Sequence, residues 1–420
     1  MKFLLEMQER QRKLFEKGAP LEKLYPVFEA NDTFLFTPDH VTRTAPHVRD
    51  GLDMKRLMIT VVIALIPCVF MAMYNTGLQA HIAIDAGAEP LERWQTAAME
   101  YLGLAFAPDN FLACLVHGAL YYLPVLMVTF IFGASCEVLF CIVRGHEVNE
   151  GFLVSGMLFP LVLPPTIPLW QVAVGIIFGV IVGKEIFGGT GMNWLNPALT
   201  ARAFLFFAYP VEISGDRVWT AANTWDNPDA YSGATWLARA FDHGPEAFTG
   251  HEEFAGAEEG LAFWDAFLGF IPGSMGETSV LACLLGAGLL IATKIGSWRT
   301  MMGAVLGSFV MAGLFNLIAW AVEVDNPFLA VPFWWHWVLG GFAFAVVFMA
   351  TDPVSSAFTD KGKWIYGGMI GALGMLIRVI NPAYAEGWML AILFMNMFAP
   401  LIDYYIKRAN IRRRMAFYEA

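Results

Sequence analysis

Charge is what this sequence has least of. Only 15% of its 420 residues are charged while 57% are hydrophobic, against about 25% and about 45–50% in ordinary soluble domains. That shortage argues against a water-soluble globule and points to lipid. The sign of what remains is also informative: 26 Lys and Arg against 37 Asp and Glu leave a net charge of −11, so no general basic surface exists to grip a nucleic acid. Cysteine is scarce too. The five, Cys68, Cys114, Cys136, Cys141 and Cys283, all lie in apolar stretches and no two have C-x-x-C spacing. A disulfide framework and the usual zinc or iron–sulfur ligand sets are thereby excluded, and the thiols read as small buried hydrophobes.

What is abundant is long apolar runs. A helix needs about 20 mostly apolar residues to cross about 30 Å of hydrocarbon. Many segments approach this, and the expected spans are about 57–75, 111–143, 152–166, 168–187, 196–210, 278–294, 300–321, 333–350, 364–380 and 387–406, the third being short and ending in Pro164-Pro165. The second is overlong, about 50 Å at about 1.5 Å per residue, and must tilt, kink near Gly133 or extend into water. The expected fold is an all-α integral membrane protein of about ten transmembrane helices.

The basic residues test that count independently, because short cytoplasmic segments collect Lys and Arg. Ten spans place both termini on one side, and that side holds ten Lys and Arg in residues 1–56, then Arg144, Lys184, Lys294, Arg299, Lys361, Lys363 and five more from Lys407 to Arg414. Only Arg93, Arg217 and Arg239 fall on the other side, while Arg202 and Arg378 lie within spans. Residues 211–262 carry two arginines and ten carboxylates, as befits an exported loop. Glu6, Glu9 and Arg10 break the only early apolar run, so no signal peptide is expected and the first residues stay inside. Leu4, Met7, Leu14 and Phe15 give that arm one apolar face, suited to a membrane surface, to a partner, or to neither if the arm is simply solvated.

The resulting division is an arm of residues 1–56, a first five-helix half (57–210), an exported loop (211–277), a second five-helix half (278–406) and a tail (407–420). Five spans per half force the halves into opposite orientations, the inverted-repeat plan of many transporters. No internal sequence match accompanies it. Helix breaks fall in both halves, at Gly188-Gly189-Thr190-Gly191 with Asn196-Pro197, and at Pro272-Gly273 and Asp352-Pro353. Irregular backbone at membrane depth is tolerated only inside protein or beside a wet cavity, which makes these breaks candidate sites.

The exported loop contains Asp229-Ala230-Tyr231-Ser232-Gly233-Ala234-Thr235-Trp236-Leu237. By composition this is a surface turn. Its Asp followed by Ser-Gly-Ala-Thr also resembles the flavinylation motif of the NqrB/RnfD family, whose NqrB members are membrane subunits of the Na+-translocating NADH:quinone oxidoreductase (Na+-NQR). Residues 144–151 (RGHEVNEG), 184–197 (KEIFGGTGMNWLNP), 351–355 (TDPVS) and 381–384 (NPAY) resemble further blocks of the NqrB proteins, so the likeness covers nearly the whole chain. It implies flavin mononucleotide (FMN) joined to Thr235 by a phosphoester, with Gly233 and Ala234 leaving an open approach and Asp229 and Ser232 in the recognition turn. Ala230 stands where the family usually has Gly. A phosphate's charge suits water or a polar pocket, not lipid.

The block 188–197 is not a phosphate-binding loop, since no strand precedes it and the G-x-x-x-x-G-K-[ST] order is missing. Asn193 and Asn196 would share a face if helical, reading either as caps and interhelical hydrogen bonders or, by the resemblance, as the amides that hold a noncovalent riboflavin. Carboxylates inside spans cost on the order of 2.5–3.5 kcal/mol at the bilayer centre. Glu137, Asp352 and Asp403 stand out on that ground. Oxygen ligands suit a hard cation, and the resemblance implies Na+ passage by these three, with Glu137 and Asp403 as the candidate ligands. The alternatives are a cap before Pro353 for Asp352 and solvation beside Lys407 for Asp403. Arg202 and Arg378 need partners that the sequence does not name. Gly133-Ala134-Ser135 permits close approach of a helix or a ring; the resemblance implies ubiquinone there, with Ala134 where a second Gly is usual.

Three rivals stay open at this point. A haem anchor would use His117 and His336, although His336 sits among tryptophans that read as an interfacial belt. A channel without redox chemistry fits the fold alone. The flavin-bearing subunit of an Rnf-type ferredoxin:NAD oxidoreductase has similar motifs, but the long arm and the length favour the quinone-reducing complex. The resemblance implies a six-subunit complex of the bacterial inner membrane, whose partners include a subunit with a periplasmic flavin and an NADH-oxidising subunit. This chain has neither a dinucleotide fingerprint nor an iron–sulfur ligand set of its own.

Overall fold

The computed structural model describes residues 2–15, 18–26, 28–29, 32, 54–145, 148, 151–224, 233–249, 261–322, 326–381 and 387–419. Its main helices are α1 (Lys2–Phe15), α2 (Met54–Asp85), α3 (Phe111–Arg144), α4 (Gly151–Leu161), α5 (Leu169–Gly183), α6 (Pro197–Ala208), α7 (Trp236–His243), α8 (Val280–Ala292), α9 (Trp298–Ala321), α10 (Phe333–Val338), α11 (Asp360–Ile380) and α12 (Trp388–Glu419). The only sheet among the described residues is a two-residue pairing, β1 (Glu89–Pro90) antiparallel to β2 (Ala222–Asn223). Helix ends follow local chemistry. Asn110 caps α3 by accepting from the Ala113 amide, and Gly145, left-handed at φ +70°, stops it. α3 runs as one continuous helix through Gly133, with Pro124 inside it.

Among the described residues six helices are long and apolar enough to span a bilayer: α2, α3, α5 with the turn that follows it, α9, α11 and α12. The other four expected spans are short or broken. α4, α6 and α8 hold 11, 12 and 13 residues, which at about 1.5 Å each covers only part of the layer. The fourth, expected over 333–350, is α10 followed by left-handed Gly340 and Gly341, a turn at Phe342–Phe344 and a π-turn at Ala345–Met349. Proline and glycine cause these breaks: Pro164 and Pro165 follow α4, and Gly188, Gly189 and Gly191 take positive φ after α5. The outward faces stay apolar, with Ile63, Ile66, Met127, Ile131, Leu285, Val310 and Leu314 exposed, as lipid requires. The chain is a multi-pass membrane protein.

Helices in lipid gain little from hiding apolar surface and pack through small residues instead. α2 and α3 cross so tightly that a Cβ on Gly118 would strike the Met73 carbonyl, and α9 meets α11 where a Cβ on Gly307 would strike the Gly368 carbonyl. α3 lies beside α5, which returns along α6; α9 lies beside α11, which returns along α12. The second, fourth and fifth segments of each half therefore pack in the same order. The halves meet along α2 and α8, where the Cys68 and Cys283 sulfurs lie 3.9 Å apart, both buried as free thiols.

One expectation changes and another falls outside the described residues. His336 is no interfacial belt residue: it is 2% exposed and packs against Phe328, while the neighbouring Trp334 is 44% exposed. The apolar face of α1 cannot be followed through Leu4 and Met7, whose side chains lie outside the described residues, although Phe15 stacks on Phe28 at 5.1 Å between centroids.

Candidate functional site

The broken segments gather at two ends of the bundle. The loop end is formed by residues 211–224, 233–249 and 261–277, and the basic end holds Arg144, Lys184 and Arg299. Each carries a mostly apolar cavity with a few charged and polar side chains in its lining.

At the loop end, a cleft of about 260 Å3 is lined by Thr235, Arg202, Ser274, Glu277 and Gly341 among others. Thr235 is half-buried and caps α7, its Oγ1 accepting from the Ala238 amide at 3.3 Å. Gly233 holds φ +69°, and a Cβ there would stand 2.7 Å from the Asp216 carbonyl oxygen, so the turn before Thr235 demands glycine. Ala234 is half-buried beside it; Asp229 and Ser232 lie outside the described residues. In the same lining, Arg202 donates to Glu277 at 3.4 Å and to Ser274 Oγ at 3.3 Å, the two charged side chains being 6% and 8% exposed. Arg378, fully buried, donates to the carbonyls of His336 at 2.9 Å and Gly340 at 2.6 Å, and its guanidinium covers the Trp388 ring. Both intramembrane arginines thus find partners.

The basic end has a small cavity of about 70 Å3, lined by Lys184, Thr190, Asn193, Asn196 and Asp352 among others. Glu137, 2% exposed, is paired with the Lys184 ammonium and accepts from Thr190 Oγ1 at 3.5 Å. Arg144 holds the next residue, reaching the Glu185 carboxylate at 3.1 Å and the Glu185 carbonyl at 2.7 Å. The expectation that Asn193 and Asn196 share a helix face fails, because positive-φ glycines and Pro197 keep 188–196 out of α-helix. Asn193 donates to the Leu195 carbonyl at 3.1 Å, and Asn196 Oδ1 caps α6 through the Ala198 and Leu199 amides. Asp352 accepts from Ser355 Oγ at 2.6 Å and from the Val354 amide at 3.3 Å.

Asp403 is not solvated beside Lys407. It is 5% exposed and accepts from the Phe358 and Thr359 amides at 2.7 and 2.9 Å and from Thr359 Oγ1 at 2.6 Å, tying α12 to the start of α11. Gly133 is buried against Phe152 and Ile176, and neither cavity is lined by Gly133 or Ala134. Among the described residues no three His, Cys, Asp or Glu side chains converge on a point that would hold a metal ion. Glu277 and Lys184 are the site residues that the sequence alone does not single out. A signal exists for Glu277, one turn beyond the Pro272-Gly273 break; Lys184, at the end of its span, reads from sequence as a residue of the aqueous side.

Residues 41–412 match the NQR2, RnfD, RnfE family. The chain belongs to that family. It is 53% identical over 405 residues to a Na(+)-translocating NADH-quinone reductase subunit of Pseudomonas paraeruginosa, covering 96% of each chain. It is equally 53% identical over 401 residues to the protein so named of Chromohalobacter salexigens, covering 96% of this chain and 93% of that one. The Azotobacter vinelandii protein of that name is 52% identical over 405 residues, 96% of each.

Membership of the family gives no licence to treat every buried carboxylate as an ion ligand, and Asp403 shows why. Asp403→Ala removes three hydrogen bonds to a charged acceptor, each worth about 1.5–3 kcal/mol, and is expected to lower the melting temperature of the purified protein. Asp403→Asn, which keeps one carbonyl acceptor, should lose less. Equal melting temperatures for Asp403→Ala and the parent would contradict this structural role.

Proposed function

We propose that this chain is the flavin-bearing membrane subunit of a Na+-pumping NADH:ubiquinone oxidoreductase in a bacterial inner membrane, with both termini cytoplasmic. On this reading the basic end faces the cytoplasm and the loop end the periplasm. FMN is joined to Thr235, riboflavin occupies the basic-end cavity, ubiquinone is reduced near Gly133 and Ala134, and Na+ passes by Glu137, Asp352 and Asp403. Family membership and the names of the relatives support the coarse reading. The observation that carries the flavin assignment is Thr235 itself, a hydroxyl at a helix N-terminus in the lining of the loop-end cleft.

The residues suit these groups. A phosphate on Thr235 would lie at the N-terminus of α7, where free amides and the helix dipole favour negative charge. Arg202 offers a buried guanidinium in the same cleft. At the basic end Asn193 and Thr190 are neutral and the Lys184 charge is taken by Glu137, which suits a flavin that has no phosphate. Bound flavins supply the electron transfer; the chain's own part is to orient them, exclude water and hold the cation. Moving one charge against 100 mV costs about 2.3 kcal/mol, comparable to the energy of one electron crossing the same potential.

The test is mass spectrometry of the peptide containing Thr235 from the native, fully assembled complex, with in-gel flavin fluorescence of the denatured polypeptide alongside. A peptide heavier by one esterified FMN is expected. An unmodified peptide overturns the reading and favours a channel without redox chemistry. Because the family also embraces the Rnf proteins, ubiquinone reduction from NADH by the assembled complex decides between the two.

A further inference from the structure

The Glu137 carboxylate is already neutralised, and by a flexible side chain. Lys184 and Glu137 are 4% and 3% exposed at their side chains, and Lys184 also lines the basic-end cavity that contains Thr190 and Asp352. We propose that the Lys184 ammonium is a tethered stand-in for Na+: it occupies Glu137 when that carboxylate holds no ion, and it withdraws into the cavity when Na+ binds. This rests on the reading of Glu137 as a Na+ ligand.

Three features carry it. First, charge: one buried carboxylate balances one cation, and Na+ added beside a resident ammonium would place two positive charges on a single negative one in a low-dielectric setting. Occupancy by Lys184 and by Na+ is therefore mutually exclusive. Second, there is somewhere to go. The cavity that Lys184 lines is also lined by Asp352, so the displaced ammonium keeps a carboxylate in the same cavity. Third, the backbone is held independently of the lysine's own ion pair. Arg144 clamps Glu185 through both its carboxylate and its carbonyl, fixing the main chain next to Lys184, whereas the lysine ends in a point charge on a four-carbon stem. Thr190 Oγ1, 3.5 Å from the carboxylate, adds a second hard oxygen for the incoming ion.

The experiment uses the assembled complex and NaCl as the probe, reading the half-saturating Na+ concentration twice: from turnover, and from the Na+-induced rise in melting temperature. With its competitor gone, Lys184→Gln is expected to lower that concentration about fivefold or more. Lys184→Arg is expected to raise it, since a planar guanidinium binds a carboxylate through two parallel bonds and is harder to displace. A purely structural lysine would shift both variants in stability while leaving the half-saturating Na+ concentration in place, and that result overturns the proposal. Should Lys184→Gln fail to assemble, Lys184→Arg decides alone, an unchanged or lower concentration being fatal. Glu137→Gln separates the two ideas: if it leaves the Na+ requirement intact, the assignment of Glu137 fails; if it abolishes the requirement while both Lys184 variants keep the parent's value, only the stand-in fails.

Discussion

Thr235→Ala should yield a polypeptide with no flavin fluorescence on a denaturing gel and an assembled complex whose NADH-driven quinone reduction falls by more than about tenfold, equivalent to about 1.4 kcal/mol in the activation barrier. Thr235→Ser should keep both. The difficulty is that Thr235 also caps α7 through the Ala238 amide, and losing a cap costs about 1 kcal/mol by itself. Asparagine resolves this, being as good a cap as serine yet having no hydroxyl to esterify. Thr235→Asn should melt with the parent and still carry no flavin. A fluorescent band in Thr235→Asn would place the attachment elsewhere, and loss of the band in Thr235→Ser would point to a damaged turn.

The apolar architecture is legible in the sequence because twenty-residue runs leave little choice in a bilayer. The span expected over 111–143 is α3, Phe111–Arg144; the span expected over 300–321 is α9, Trp298–Ala321. What hydropathy does not foresee is that residues 333–350, equally apolar, break into α10 and a π-turn around Gly340 and Gly341. A window average registers greasiness but not the positive φ of two glycines. The site is legible where identity matters and illegible where pairing does. Glu137 stands out for its apolar neighbours, yet its partner Lys184 is 47 residues away and reads as an aqueous residue. Arg202 needs a carboxylate, and that carboxylate, Glu277, is 75 residues away along the chain. Long-range ion pairs leave no local spacing to read. A cap at Asn196 and a turn acceptor at Asp352 describe the hydrogen bonds those side chains make, and neither contact precludes a second role.

The lining of the loop-end cleft allows structure and chemistry to be separated. Glu277→Ala deletes the carboxylate 3.4 Å from the buried Arg202 guanidinium, and breaking such a pair from one side costs about 3–5 kcal/mol. A pronounced fall in melting temperature of the purified complex is expected. Replacing the pair outright, Arg202→Met with Glu277→Leu, exchanges two charges for apolar volume, which is often neutral or stabilising at buried positions. The double variant should recover most of the lost stability. It should not recover the redox behaviour of a flavin seated in that cleft. Both charges of the pair line the cleft, so removing them together changes the local field there, and the one-electron potential read by spectroelectrochemistry should move away from the parent's value, a tenfold change in the equilibrium corresponding to about 59 mV. If the double variant regains both stability and the parent's potential, Arg202 and Glu277 merely hold helices together. If it regains stability alone, the buried pair belongs to the chemistry of the cleft that Thr235 borders.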